Sequence, residues 1–204
     1  MYIPTLFKQD NSEEVKAFLR ENGFGILVST VETKPWATHI PLELDKNTSG
    51  EDVLLGHISR GNKQWRDFSN NEEVLAIFNG PHAYISSSWY DHENVPTWNY
   101  MAVHVYGTLR VIEGEELLNS LKKLVNKYEA SSTHPVTVEG MSKKLLENEL
   151  RGIVGFEIKI TSIEAAYKLS QNRDAHNKER IIEELTNRGD AAAAIAARMK
   201  SYKS

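Results

Sequence analysis

The decapeptide Gly-His-Ile-Ser-Arg-Gly-Asn-Lys-Gln-Trp at 56–65 concentrates groups that bind an oxyanion. His57, Ser59, Arg60, Asn62 and Lys63 offer imidazole, hydroxyl, guanidinium, amide and ammonium donors within one turn, and Gly61 lets a ligand approach the backbone. The stretch follows an expected strand and opens a polar turn into an expected short helix, where free N–H groups would add to the same site. It is neither a Walker loop nor a G-x-G-x-x-G fingerprint. A solvated connection would have the same composition, so spacing alone leaves a phosphate cradle and a plain loop equally open.

Three further stretches put polar aromatic chemistry where a core strand would carry Val, Ile and Leu. Residues 36–44 hold Trp36, Thr38 and His39; residues 78–86 hold Asn79, His82 and Tyr84 around Gly80-Pro81; residues 95–107 hold Trp98, Asn99, Tyr100, His104 and Tyr106. A flat aromatic ligand needs apolar walls with a few amide or hydroxyl groups for its edge, and recurrence across neighbouring strands is what suggests one. Taken singly, each histidine is more often a structural residue. Seven histidines invite a metal, but no H-x-x-x-H pair falls on a clear helix, and Asp91-His92-Glu93 lies in a loop. No metal site is expected. Ser86-Ser87-Ser88-Trp89 is no nucleophile elbow.

The elements that must position these groups follow from periodicity. Residues 11–22 predict a helix with an Asn11/Glu14 capping box and an apolar face of Val15, Phe18 and Leu19. Strands are expected at 24–30, 36–44, 53–59, 74–80 and 82–88, with Gly80-Pro81 as a break, then one long strand over 97–112. In the last, Trp98, Tyr100, Ala102, His104 and Tyr106 share one face and Asn99, Met101, Val103 and Val105 the other. A polar short helix is expected within 60–73, a strong helix at 115–130 and a shorter one at 141–150. Two more strands follow, at 152–161 and 165–173. Two helices close the chain, the first ended by Gly189 and the second capped by Asp190.

Strands in the middle with helices at the ends predict an α+β fold: an antiparallel split β-barrel or sheet with peripheral helices and a helical C-terminal tail. The expected division is a barrel domain over 1–174, with a helical insertion near 114–150, and a helical pair over 175–204.

The 204 residues suffice for one sizeable core. A net charge of −4 gives no global case for nucleic acid binding, although a local basic patch remains open. The absence of cysteine removes disulfides, thiolate metal sites and Cys nucleophiles. Neither a signal peptide nor a transmembrane helix is expected, which places the chain in the cytoplasm and off the membrane. The tail has roughly the size of a helix-turn-helix, but its second helix, Ala191 to Lys200, carries little near its start to read base edges.

Seven stretches taken together resemble the PaiB family: 1–4 (MYIP), 37–42 (ATHIPL), 56–65 (GHISRGNKQW), 76–90 (AIFNGPHAYISSSWY), 95–100 (VPTWNY), 152–158 (GIVGFEI) and 168–173 (KLSQNR). PaiB proteins are described as FMN-binding negative transcriptional regulators. The resemblance spans nearly the whole chain in the family's order. It implies an FMN-binding split barrel of the pyridoxamine-phosphate-oxidase-like superfamily. It also implies a homodimer with FMN at the subunit interface, and repression of degradative-enzyme and sporulation genes. Carried over residue by residue, Arg60, Asn62 and Lys63, with Ser59 alongside, would hold the phosphate, and Thr38 and His39 would lie near the isoalloxazine. Trp98, Asn99 and Tyr100 would come from the dimer interface, and Lys168, Ser170 and Gln171 from the last strand. Promoter DNA is then an expected partner, contacted directly or indirectly. The same barrel also hosts flavin-dependent oxidoreductases and haem-handling proteins. The absence of an obvious general acid or base favours a regulator over an enzyme.

Overall fold

A computed structural model describes residues 1–70 and 73–202. The chain forms two compact units, each assembled from separated segments. One gathers 1–18, 78–104 and 164–204; the other gathers 19–77 and 105–163.

The strands of the chain close into an antiparallel barrel, most of whose residues belong to the 19–77/105–163 unit. Its strands are β1 (Phe24–Val31), β2 (Lys34–Lys46), β3 (Asp52–Ser59), β4 (Glu73–Ile85), β5 (Thr97–Ile112) and β6 (Ile153–Lys168), in the order β1-β2-β3-β6-β5-β4. β1 and β2 form a two-residue hairpin with Val31 opposite Lys34. Both turn residues, Glu32 (φ 48°) and Thr33 (φ 69°), are left-handed, which is the geometry that matches strand twist although neither is glycine. β1 closes onto β4 with Leu27 opposite Ala76, and β3 pairs β6 with Gly56 opposite Phe156. Gly107 is required here, because a Cβ would lie 2.4 Å from the Lys159 carbonyl oxygen. The barrel is filled by Leu27, Leu42, Leu54, Val105, Phe156 and Ile158, all fully shielded, and the Phe68 ring meets Phe156 edge-on at 5.3 Å. Helix α2 (Gly114–Glu129) packs Leu117 and is tied to β2 by Lys123–Asp45 and by Lys127 and Tyr128 to Glu43. Helix α3 (Lys143–Gly152) is capped by Ser142 and runs directly into β6.

The other unit holds the remaining halves of β4, β5 and β6 with three helices. In α1 (Ser12–Glu21), residues through Phe18 belong here; α4 (Ala175–Asn187) and α5 (Asp190–Ser201) follow one another at the C-terminal end. Phe78, Ile85, Val103, Tyr167, Leu169, Ile181, Leu185 and Ile195 form its core.

Four expectations differ from the structure. Residues 74–80 and 82–88 do not form two strands; β4 runs unbroken through Gly80-Pro81. Proline enters a strand where the ladder asks for no N–H, and Gly80 is there because a Cβ would lie 2.5 Å from the Phe18 ring. The last two expected strands are likewise one, β6. The capping box at α1 is only half formed: Asn11 Oδ1 accepts from the Glu13 and Glu14 N–H groups, but Gln9 Oε1 takes the Asn11 N–H and Gln9 Nε2 donates to Glu14. Gly189 (φ 76°) ends α4 as expected but also occupies the cap position of α5, which starts at Asp190. The Asp190 side chain lies outside the description, as do residues 71 and 72 near the end of the expected short helix.

Candidate functional site

In the barrel unit, β3 ends at Ser59 and the chain turns into a 3-10 helix over Lys63–Asn70. Arg60 is fixed by three bonds to the start of β6. Its N–H donates to the Gly152 carbonyl at 2.8 Å, its Nε to that of Arg151 and its Nη2 to that of Ile153, both at 3.0 Å. The guanidinium lies 5.7 Å over the Trp65 ring, and Trp65 Nε1 returns a bond to the Arg60 carbonyl. A guanidinium has five N–H donors, so three remain for an anion in a fixed orientation. Ser59 is exposed, its Oγ accepting the Gly61 N–H at 3.2 Å. Lys63 is exposed and has no partner among the described residues.

Asn62 and Thr38 are committed inward. Asn62 Nδ2 donates to Thr38 Oγ1 at 2.9 Å, and Thr38 Oγ1 donates to Gln64 Oε1 at 2.6 Å. Asn62 Oδ1 accepts the Gln64 N–H. Gln64 is fully buried, and its Nε2 reaches Ser29 Oγ at 3.0 Å and the Leu27 carbonyl at 3.3 Å. This network fastens the turn after β3 to the β1–β2 hairpin. His39 follows Thr38 on β2, is exposed, and addresses the opposite face of the strand. The donors that face outward, Ser59, Arg60 and Lys63, have the chemistry a phosphomonoester requires. Gln64 and Trp65 belong to the same sequence motif, but their residue types give no sign that the turn buries one and stacks the other.

The remaining expected residues lie in the other unit, where the structure brings several together. Asn99 is fully buried on the dry face of β5. Its Nδ2 donates to Ser170 Oγ at 2.9 Å and to Met199 Sδ at 3.4 Å, and the Ser170 hydroxyl can return a bond to Asn99 Oδ1 at 3.2 Å. Ser170 has φ 60°, strained for a residue with a side chain. Gln171 holds that turn, its Oε1 accepting the Leu169 N–H at 2.7 Å and its Nε2 donating to the Tyr167 carbonyl. Lys168 donates to Thr97 Oγ1 and lies 5.7 Å over the Phe7 ring. Asn99, Lys168 and Ser170 line one cleft of about 260 Å³. Trp98 points the other way, 53% exposed, in an aromatic group with Tyr84 at 5.9 Å and His82 at 6.2 Å; Tyr100 is half-buried.

Burial lowers the His57 pKa from the ordinary imidazole value. His57 faces a cavity under α2 lined also by Glu43, Asp45, Lys123 and Lys127. Burial, with the N-terminal amine, lowers that of His104 as well, against a smaller opposite pull from Glu164. Asp91 is held at about 2, first by the Asn177 amide and then by His92. Asn177 also accepts the Asp91 N–H and is held by Asp174, the cap of α4. Among the described residues no cluster of His, Asp and Glu has metal-binding geometry, and no helix is long and apolar enough to cross a membrane.

Comparison with known proteins defines the class. Residues 1–162 match the family described as "Putative FMN-binding domain", and the chain belongs to that family. It is 52% identical, over 187 residues that make up 92% of this chain and 90% of the relative, to the Protease synthase and sporulation protein PAI 2 of Bacillus subtilis (strain 168). Among solved structures, the fold is shared with the FAD and heme binding protein from Mycobacterium smegmatis. The TM-score is 0.62 at 15% identity, over 84% of this chain and 78% of that one. It is shared also with the flavocytochrome Anf3 from Azotobacter vinelandii, with TM-score 0.58 at 14% identity over 79% and 69% of the two chains. The α+β split-barrel architecture expected from the sequence is therefore the fold of this chain.

Proposed function

We propose that this chain is a PaiB-type negative regulator of degradative-enzyme and sporulation genes that uses FMN as its ligand. The observation that carries the reading is the relationship, across nearly the whole chain, to a protein named for protease synthesis and sporulation. The geometry supports the ligand half. Ser59, Arg60 and Lys63 would hold the FMN phosphate, with Arg60 already oriented by the backbone carbonyls it bonds. Thr38 and Asn62 act behind them by fixing the turn, and His39, exposed on β2, would lie near the ring. FMN, when bound, supplies a redox-active ring. If the protein binds the oxidised and reduced ring in forms of different shape, the flavin state shifts their balance.

On this reading the active form is a cytoplasmic homodimer, and the exposed group of Trp98, Tyr84 and His82, with Tyr100 beside it on β5, would be the surface for the second copy. Helix α5 buries Ile195, Ala196 and Met199 within its own unit and keeps Arg198 and Lys200 in its last turn. That placement, with a net charge of −4, supports an indirect route to promoter DNA over a reading helix. The test is an absorbance spectrum of the purified protein after FMN is added and unbound flavin is removed. A retained, shifted flavin spectrum supports the ligand assignment; none at micromolar concentration removes it. A gel-shift series on its own promoter and on random DNA, at rising salt, then separates direct repression from indirect.

A further inference from the structure

We infer that the cleft lined by Phe7, Thr97, Asn99, Lys168, Ser170 and Arg173 is a binding site for a small organic carboxylate. The two cations are the starting point. In the barrel unit, Lys46, Lys123, Lys127, Lys159 and Arg110 each meet an acidic side chain. Lys168 and Arg173 do not: both are half-buried, both line this cleft, and neither has a carboxylate partner among the described residues. Lys168 has only the Thr97 hydroxyl and the Phe7 ring, and Arg173 only the Asn94 amide oxygen at 3.5 Å and the Tyr90 ring at 4.9 Å. Among the described residues no acidic side chain lines the cleft. Asp174, next in sequence, spends its oxygens on Asn177 as the cap of α4.

Two half-buried cations that line one cleft without a carboxylate partner leave charge for an anion to meet. The rest of the lining narrows the anion. Phe7, Val95 and Pro96 make an apolar wall, and Asn99, Asn172 and Ser170 supply amide and hydroxyl groups. A volume of about 260 Å³ falls below the roughly 300–1,000 Å³ of sites for drug-sized ligands, so it suits an anion the size of benzoate better than a nucleotide. The strained turn at Ser170 is explained in the same way. Glycine would relieve the strain but remove the hydroxyl that holds Asn99 at the cleft. This inference does not depend on flavin binding. It gives Asn99, Lys168 and Ser170 a ligand other than FMN.

The test is a titration of the full chain with sodium benzoate, acetate and inorganic phosphate, followed by amide chemical shifts, with the flavin spectrum recorded on the same samples. Benzoate is expected to give saturable shifts centred on residues 168–173, stronger than acetate, and weaker at high salt. Lys168→Gln should weaken binding about tenfold or more, while Lys168→Arg should retain it. Circular dichroism checks that each variant is folded, and Arg173→Lys is the second variant if Lys168→Gln is not. The inference fails if the folded wild-type chain shows no saturable shift up to roughly 10 mM benzoate. It fails equally if the shifts survive Lys168→Gln or centre on residues 59–63, or if phosphate competes as well as benzoate. Flavin retained without a benzoate response, or the reverse, tells the failure of one assignment from that of the other.

Discussion

Gln64 and Asn99 are both shut off from solvent, and they are used differently. The Gln64 side-chain amide joins Thr38, Ser29 and the Leu27 carbonyl, so each end of it meets a good partner. Asn99 meets one hydroxyl and a thioether sulfur, a weak acceptor, and lies against a cleft. The first amide ties a loop to a hairpin. The second leaves bonding capacity beside two cations that no acid answers. A buried polar network that closes on itself holds a site in place; one that stays partly open faces a ligand.

The largest effect expected from this difference is on stability. Gln64→Leu should cost about 3 kcal/mol in urea unfolding, because it strands the Thr38 and Ser29 hydroxyls and the Leu27 carbonyl in the interior, whereas Asn99→Leu should cost about 1 kcal/mol. Equal losses would remove the distinction. A smaller effect separates two cations of the same turn. Arg60→Ala should lower stability by about 1 kcal/mol through its lost carbonyl bonds and also weaken FMN retention; Lys63→Ala should weaken FMN about tenfold with no change in the urea midpoint. Unchanged flavin affinity in Lys63→Ala would move the phosphate elsewhere. The smallest effect is the pH dependence at His57. Its folded pKa lies below the ordinary 6.5, so the unfolded chain binds the extra proton first. Its contribution is complete above about pH 6.5 and is lost as pH falls through the lowered folded value. His57→Gln should flatten the fall in urea midpoint on acidification, and an unchanged slope would assign that fall to other groups such as His104.

Legibility of the fold depended on how directly a residue pattern maps to an element. The strand at 97–112 was read with its boundaries because alternation persists over its length, with Asn99, Met101, Val103 and Val105 inside. β6 was read as two strands because 159–164 has no buried residue on either face, so the period-two signal lapses while the backbone continues. Gly80-Pro81 looked like a break because the reason for the glycine is the Phe18 ring, more than sixty residues away in sequence. The site was legible in kind but not in orientation. The decapeptide showed which donors were present, but whether Asn62 faces a ligand or Thr38 is decided by the hairpin it packs on. The pairing of Lys168 with Arg173 in one cleft was partly visible in their closeness within 168–173, but their lack of acidic partners depends on every other segment of that unit.

The bridge between Lys8 and Ala166, with the Gln9 N–H bonded to the Ala165 carbonyl, has a consequence for how the protein is made. A ribosome delivers residues 1–18 before their partners in 164–204, so the early segment waits, while the residues between are made, for the strand it pairs with. Contacts this distant in sequence are slow to form because loop closure precedes any gain from them. The barrel segments, 19–77 and 105–163, can meet sooner. Refolding followed by pulse-labelled hydrogen exchange should therefore protect Leu27 and Leu54 before Gln9 and Ala166.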